Sequence, residues 1–185
     1  MLSSAITKNN TVNLSCRLDK AVYELLLDEA TKKGISLNSL VNSITKKHTS
    51  WEKNGEQIGF VPISKRTVRQ IFNDLETNQI KSLAIDIESS MLRDLIMLIF
   101  NSNNFATFMS VIEMWGSKFG ALRHDVKGSM HIITIYHEIN EKFSDYIEEL
   151  HKAMAKDFGF KLVTAKKTKT TITMEIEENN NHRSY

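Results

Sequence analysis

Cysteine and proline are nearly absent: Cys16 and Pro62 are the only ones in 185 residues, and there are seven glycines. One cysteine cannot close an intrachain disulfide or furnish a cysteine-rich zinc site, so the fold must rest on burial and the expected setting is reducing and cytoplasmic. Long apolar runs are missing too. The longest, Leu95 to Phe100, falls far short of the ~20 residues a membrane span requires and reads as core. The apolar run within Met1 to Asn10 is too short for a signal peptide, so no membrane partner is expected. No Gly-rich phosphate loop, nucleophile elbow or acid–base pair can be picked out, and neither an enzyme nor a cofactor is expected.

Charge of one sign is also lacking, with 24 Lys and Arg against 22 Asp and Glu. The distribution is less even: residues 1 to 53 hold eight basic against five acidic side chains, a net +3, and the remainder is then −1. A bias of that size agrees with a polyanionic partner and is equally the ordinary charge of solvated helix faces.

What is present is a patterned stretch from Thr11 to Trp51. Val12, Leu14, Cys16 and Leu18 alternate with Asn13, Ser15 and Arg17, which is the period of a half-buried strand and makes Cys16 a small inward residue. Two helical patterns follow. In the first, Val22, Leu25, Leu26 and Ala30 recur at helical spacing behind Asp19 as N-cap; in the second, Leu37, Leu40, Val41 and Ile44 follow Ser36 and run on to Trp51. Gly34 between them can take the left-handed conformation that ends a helix. No second strand lies near enough to pair with the first, and a lone strand with open backbone groups is not viable in water. The economical partner is the same strand of a second chain.

These residues resemble the ribbon-helix-helix DNA-binding family of prokaryotic repressors and antitoxins: an alternating strand ending in Arg17-Leu18-Asp19, an amphipathic helix, a Gly34-x-Ser36 turn with Asn38, and a second apolar helix. The resemblance covers roughly the first 50 residues. It implies a dimer that inserts a two-stranded antiparallel ribbon into the major groove while the second helices tie the two chains together. Independently of the family, such a ribbon fits the groove, where Arg17 can address guanine, Asn13 adenine, and Ser15 adapts to either. The same three side chains are also what the solvated face of an edge strand looks like. Ser36, Leu37 and Asn38 open a helix whose free amides can hold a phosphate, and Lys8 in the preceding arm can add a contact; an ordinary helix cap with no ligand is the alternative.

Beyond Glu52 the polar stretch to Gln57, then Gly59 and Pro62, mark a boundary. Helices are expected from Ser64 to about Thr77, over Ile80 to Leu98 and from about Asn104 to Phe119. Met130 to Glu138 reads as a strand, Glu141 to Phe158 as a helix stopped by Gly159, and 161 to 164 with 171 to 176 as a hairpin. His131 and His137, an even number of residues apart, share a strand face, and His151 lies on the next helix. Their spacing matches no metal motif, and no metal is expected. Met91, Met97, Met109 and Met114 read as core filler, with an adaptable ligand pocket as the alternative.

The expected fold is mainly α with α+β. Residues 1–10 form a flexible arm and 11–53 a ribbon-helix-helix, with one strand and two helices per chain in an intertwined dimer. Residues 54–62 are a linker, 63–177 a C-terminal α+β regulatory or assembly domain with a small antiparallel sheet, and 178–185 a polar tail. The expected function is a homodimeric transcriptional regulator whose partners are double-stranded DNA, further copies of itself and a small-molecule effector. An antitoxin-like protein, whose C-terminal part binds a partner protein, is the alternative.

Overall fold

Two residues shape the start of the chain: Gly34, in the left-handed conformation at φ 64°, and Ser36, whose hydroxyl accepts the Ser39 amide at 3.1 Å. They separate helix α1 (Lys20–Lys33) from α2 (Leu37–Lys47). The computed structural model describes residues 12–179, and the chain divides into two units between Gly59 and Phe60. Asp19 stands at the N-cap of α1 without a side-chain capping bond. Gly34 N–H and Ile35 N–H return to the carbonyls of Thr31 and Ala30, closing the C-terminus.

The expected strand from Val12 to Leu18 is not formed. Residues 12 to 19 belong to no helix and no ladder, because strand geometry is held by a neighbour's backbone and the described residues offer none. The second helix also differs. After Lys47 it widens into a π segment (His48–Glu52) before α3 (Lys53–Gln57), so residues 54 to 57, part of the expected linker, are helical. The arm 1–10 lies outside the described residues.

The second unit opens with α4 (Lys65–Asp74), capped by Ser64 on the Thr67 amide. A helical rod follows, made of α5 (Thr77–Ser82), a π segment (Leu83–Glu88) and α6 (Ser89–Phe100). Then come α7 (Phe105–Gly116), strands β1 (Ala121–Lys127) and β2 (Met130–Tyr136), α8 (Glu141–Met154), and strands β3 (Phe160–Lys167) and β4 (Thr171–Glu178). The mixed helical and antiparallel-sheet class is the one expected from sequence, but the order is ββαββ where βαββ was expected. β1 carries Arg123, His124, Asp125 and Lys127, and so lacks the apolar alternation that marks a strand.

The sheet is antiparallel in the order β1-β2-β4-β3, with a register irregularity in β3 between Leu162 and Thr164. Its central strands bury Ile133, Ile135, Ile172, Met174 and Ile176. Against them α8 sets Phe143, Ile147, Leu150 and Met154, positions spaced by about one helical turn. Phe108 of α7 stacks on Phe160 of β3 at 4.8 Å. Met109 is buried in this core, whereas Met97 is exposed.

α4 is docked by directed bonds. Arg69 donates to the carbonyls of Ile139 and Glu138, and Lys142 of α8 donates to those of Asn73 and Leu75 at the helix end. Phe72 meets Phe143 edge-on at 5.0 Å. Among the described residues no single helix is long and apolar enough to cross a membrane.

The end of β2 leaves no room at Gly120, where the chain enters β1 and an added Cβ would lie 2.2 Å from the Tyr136 carbonyl oxygen. Gly120→Ala therefore forces backbone to move, and we expect a loss of about 2 kcal/mol in urea unfolding of the second unit. Unchanged stability would mean that the chain can open this turn freely.

Candidate nucleic-acid interface

The first unit has almost no interior. Of the 28 buried apolar residues among those described, it supplies Ala30, Leu40 and Trp51. Val12 and Leu14 are 91% and 89% exposed, and Leu25, Ile44 and Leu18 also face outward. Cys16, expected inward, is exposed. A buried Val, Leu or Ile side chain stabilises by ~1.5–3 kcal/mol over an exposed one, so this much uncovered surface is a substantial unmet gain.

Asn13, Ser15 and Arg17 are exposed on the extended segment, and Arg17 makes no ion pair with another described residue. All three cations of α1 are engaged: Lys20 with Glu24, Lys32 with Asp28 and Lys33 with Glu29, each one turn apart. Such exposed pairs add little stability, and they mute the positive charge of the helix face. Among the described residues, none pairs with Arg17, whose guanidinium can address an outside acceptor.

At the start of α2 the Ser36 hydroxyl takes the Ser39 amide and also contacts the Ser39 hydroxyl at 2.8 Å. The amides of Leu37 and Asn38 precede the first intrahelical bond, which runs from Leu40 N–H to the Ser36 carbonyl. They point out of the helix start, beside the positive end of its dipole. Lys8 lies outside the described residues.

His131, His137 and His151 do not converge. His137 falls one residue past the end of β2, where strand alternation no longer governs direction, and Glu138 turns the chain at φ 58°. There His137 Nδ1 accepts the Ile139 amide at 3.1 Å, so Nε2 carries the proton and donates to Ser144 Oγ at 2.8 Å. Ser144 in turn donates to the Thr168 carbonyl. This imidazole has no lone pair facing the hydroxyl, which excludes it as a base for Ser144 in this arrangement. Burial, with the Lys65 ammonium second, holds its pKa down at about 4.

His131 instead meets His124 of β1, Nδ1 to Nε2 at 2.9 Å, and His124 Nδ1 donates to Glu113 of α7 at 2.5 Å. Burial and then the charge of His124 lower the pKa of His131. Sequence reasoning missed this chain because β1 was not read as a strand; its signal was His124 on the same parity as Leu122 and Val126. His151 sits apart on α8. Among the described residues no group of three His, Cys, Asp or Glu side chains could hold a metal ion.

No protein-family model matches the chain, and no curated protein matches it. A solved structure titled "Probing the function of heme distortion in the H-NOX family" is similar at 12% identity and a TM-score of 0.44, covering 75% of this chain and 89% of that one. A likeness of that order carries no argument about fold or function.

His137 and His151 both stay neutral when folded, with pKa values of about 4 against 6.5 for a free imidazole. Above pH 6.5 neither state of the chain takes up these protons and stability does not depend on them. Between pH 6.5 and 4 the unfolded chain binds them and the folded chain does not, so stability falls with pH and the loss levels off below 4. Melting temperatures measured from pH 8 to 4 should be flat and then drop, and His137→Gln should lessen the drop. An unchanged pH profile in that variant would remove His137 from the account.

Proposed function

We propose that the chain is a sequence-specific DNA-binding transcriptional regulator that acts as a homodimer through an N-terminal ribbon-helix-helix. The observation that carries this reading is the first unit itself, a segment outside any helix or ladder and two helices with most of their apolar side chains uncovered. A second copy answers both needs. Antiparallel pairing of the two 12–18 segments satisfies their backbones, and the shared interior covers Val12, Leu14, Cys16, Leu18, Leu25 and Ile44.

The ribbon then carries Asn13, Ser15 and Arg17 from each chain on its outer face, and these read base edges in the major groove. Phosphates bind at the amides of Leu37 and Asn38 beside Ser36, with Lys8 as a further contact, and set the register without reading sequence. Residues 60 to 179 act as an effector-sensing or oligomerisation domain. The antitoxin-like reading has less support, because a segment that orders only on a partner does not bury 25 apolar side chains of its own, the 28 less the three of the first unit.

Leu14→Asp places a charge in the proposed shared interior and should abolish both dimerisation and folding of the first unit. Sedimentation at micromolar concentration reads the mass. A parent protein that is a well-folded monomer there would overturn the dimer.

Arg17→Ala should weaken binding to a selected operator by about 1–3 kcal/mol and non-specific duplex by less, since a bidentate base contact is lost. Titrations on both duplexes across a salt series check this. Equal losses on the two would reduce Arg17 to a phosphate contact, and binding insensitive to salt would argue against DNA as the partner.

A further inference from the structure

Four polar or charged side chains are buried among the described residues: Ser89, His137, Ser144 and His151. Three of them are satisfied. Ser89 donates to the Ile85 carbonyl, and His137 and Ser144 form the relay ending at Thr168. His151 is different. It is fully buried on α8, and its Nδ1 lies 2.8 Å from the Ile147 carbonyl oxygen. A carbonyl only accepts, so Nδ1 carries the proton and Nε2 presents a lone pair. No described protein group reaches that nitrogen.

An unmet buried acceptor is destabilising, and an apolar side chain of similar size would avoid the penalty. The surroundings sharpen the question of what Nε2 serves. Phe108 of α7 meets the imidazole edge-on at 5.7 Å, and Phe108 itself packs on Phe158 and Phe160. Ile147, Leu150 and Met154 of the same helix are fully buried. A buried water is held by two to four polar partners, and the other buried polar side chains are committed elsewhere. A molecule with one donor and an apolar body suits this position better than water does. A charged one does not, because the imidazole stays neutral and no counter-ion is buried beside it.

We propose that His151 Nε2 is the polar anchor of a buried binding site for a small, neutral, largely aromatic molecule bearing a single O–H or N–H donor, held against Phe108 and its aromatic neighbours. The ligand's donor hydrogen-bonds to Nε2 while its ring replaces contacts among the phenylalanines. A cavity of about 230 Å³ lies elsewhere, lined by Lys81, Asp145, Glu148, Lys152 and Lys167, and its charges largely pair with one another. The site at His151 forms by side-chain displacement as the ligand enters, which limits it to small molecules. The proposal deepens the effector-sensing reading of residues 60 to 179 and rests on it only for the coupling to DNA.

Phenol and toluene, alike in shape and different in the donor, are the probes for the full chain. Phenol should raise the melting temperature saturably and shift the His151 Nε2 resonance in ¹⁵N-histidine spectra, with toluene about tenfold weaker or worse for want of the hydrogen bond. His151→Phe should fold at least as stably as the parent and lose the preference for phenol. Should that variant fail to fold, the resonance shift in the unmutated chain decides. No saturable effect of phenol, equal effects of the two probes, or a His151 resonance that phenol leaves unmoved overturns the site. Phenol binding that leaves operator affinity unchanged supports the site and overturns its regulatory coupling.

Discussion

A strand's hydrogen bonds leave it sideways, and residues 12 to 18 have no strand beside them among the described residues to receive them. That constraint governs how the N-terminal unit can exist. Its two helices are well terminated, yet each buries a single residue, Ala30 in α1 and Leu40 in α2. Capping defines where helices begin and end, while their persistence in a protein comes from an apolar face packed against something. In the proposed dimer the missing backbone partner and the missing apolar cover are supplied at once, so folding of this unit and association become one equilibrium that depends on protein concentration.

The second unit stands on the opposite footing. Its sheet is covered by α7 and α8, and α4 is fastened by Arg69 and Lys142 to carbonyls that would otherwise be open. Buried polar side chains of this interior are hydrogen-bonded among the described residues, the acceptor Nε2 of His151 apart. The Glu88 carboxyl is an example: the π segment places it where Tyr146 donates to it, and burial raises the pKa of both groups. A widened turn re-aims side chains without ending a helix, which lets one rod both pack and present a carboxyl to the core.

Much of this was legible in residues. Ser36, Ser64 and Gly34 announce helix ends by chemistry that depends only on near neighbours, and the long 3.6-residue pattern from Ile80 to Leu98 outweighs the brief alternation of Leu83, Ile85 and Ile87. The π segments were not legible, because a single widened turn leaves the surrounding pattern intact. β1 escaped because its pairing with β2 lies in tertiary contact, not in apolar alternation. The shared face assigned to His131 and His137 failed for a geometric reason: parity holds only while the strand lasts, and the strand ends at Tyr136. For the candidate interface, side-chain type and exposure were readable at Asn13, Ser15 and Arg17, while the conformation of their segment is not fixed by any described neighbour.

The irregularity in β3 bears on how the chain avoids sticking to itself. With Val163 displaced from the ladder and Lys161, Lys166 and Lys167 alongside, that border of the sheet is poorly suited to recruiting a foreign strand. The opposite border, β1, carries the Arg123 and Asp125 ion pair and Lys127. Both borders are therefore guarded against amyloid-like extension. A newly made copy accordingly offers the proposed partner its residues 12 to 18 with little competition from its own C-terminal sheet.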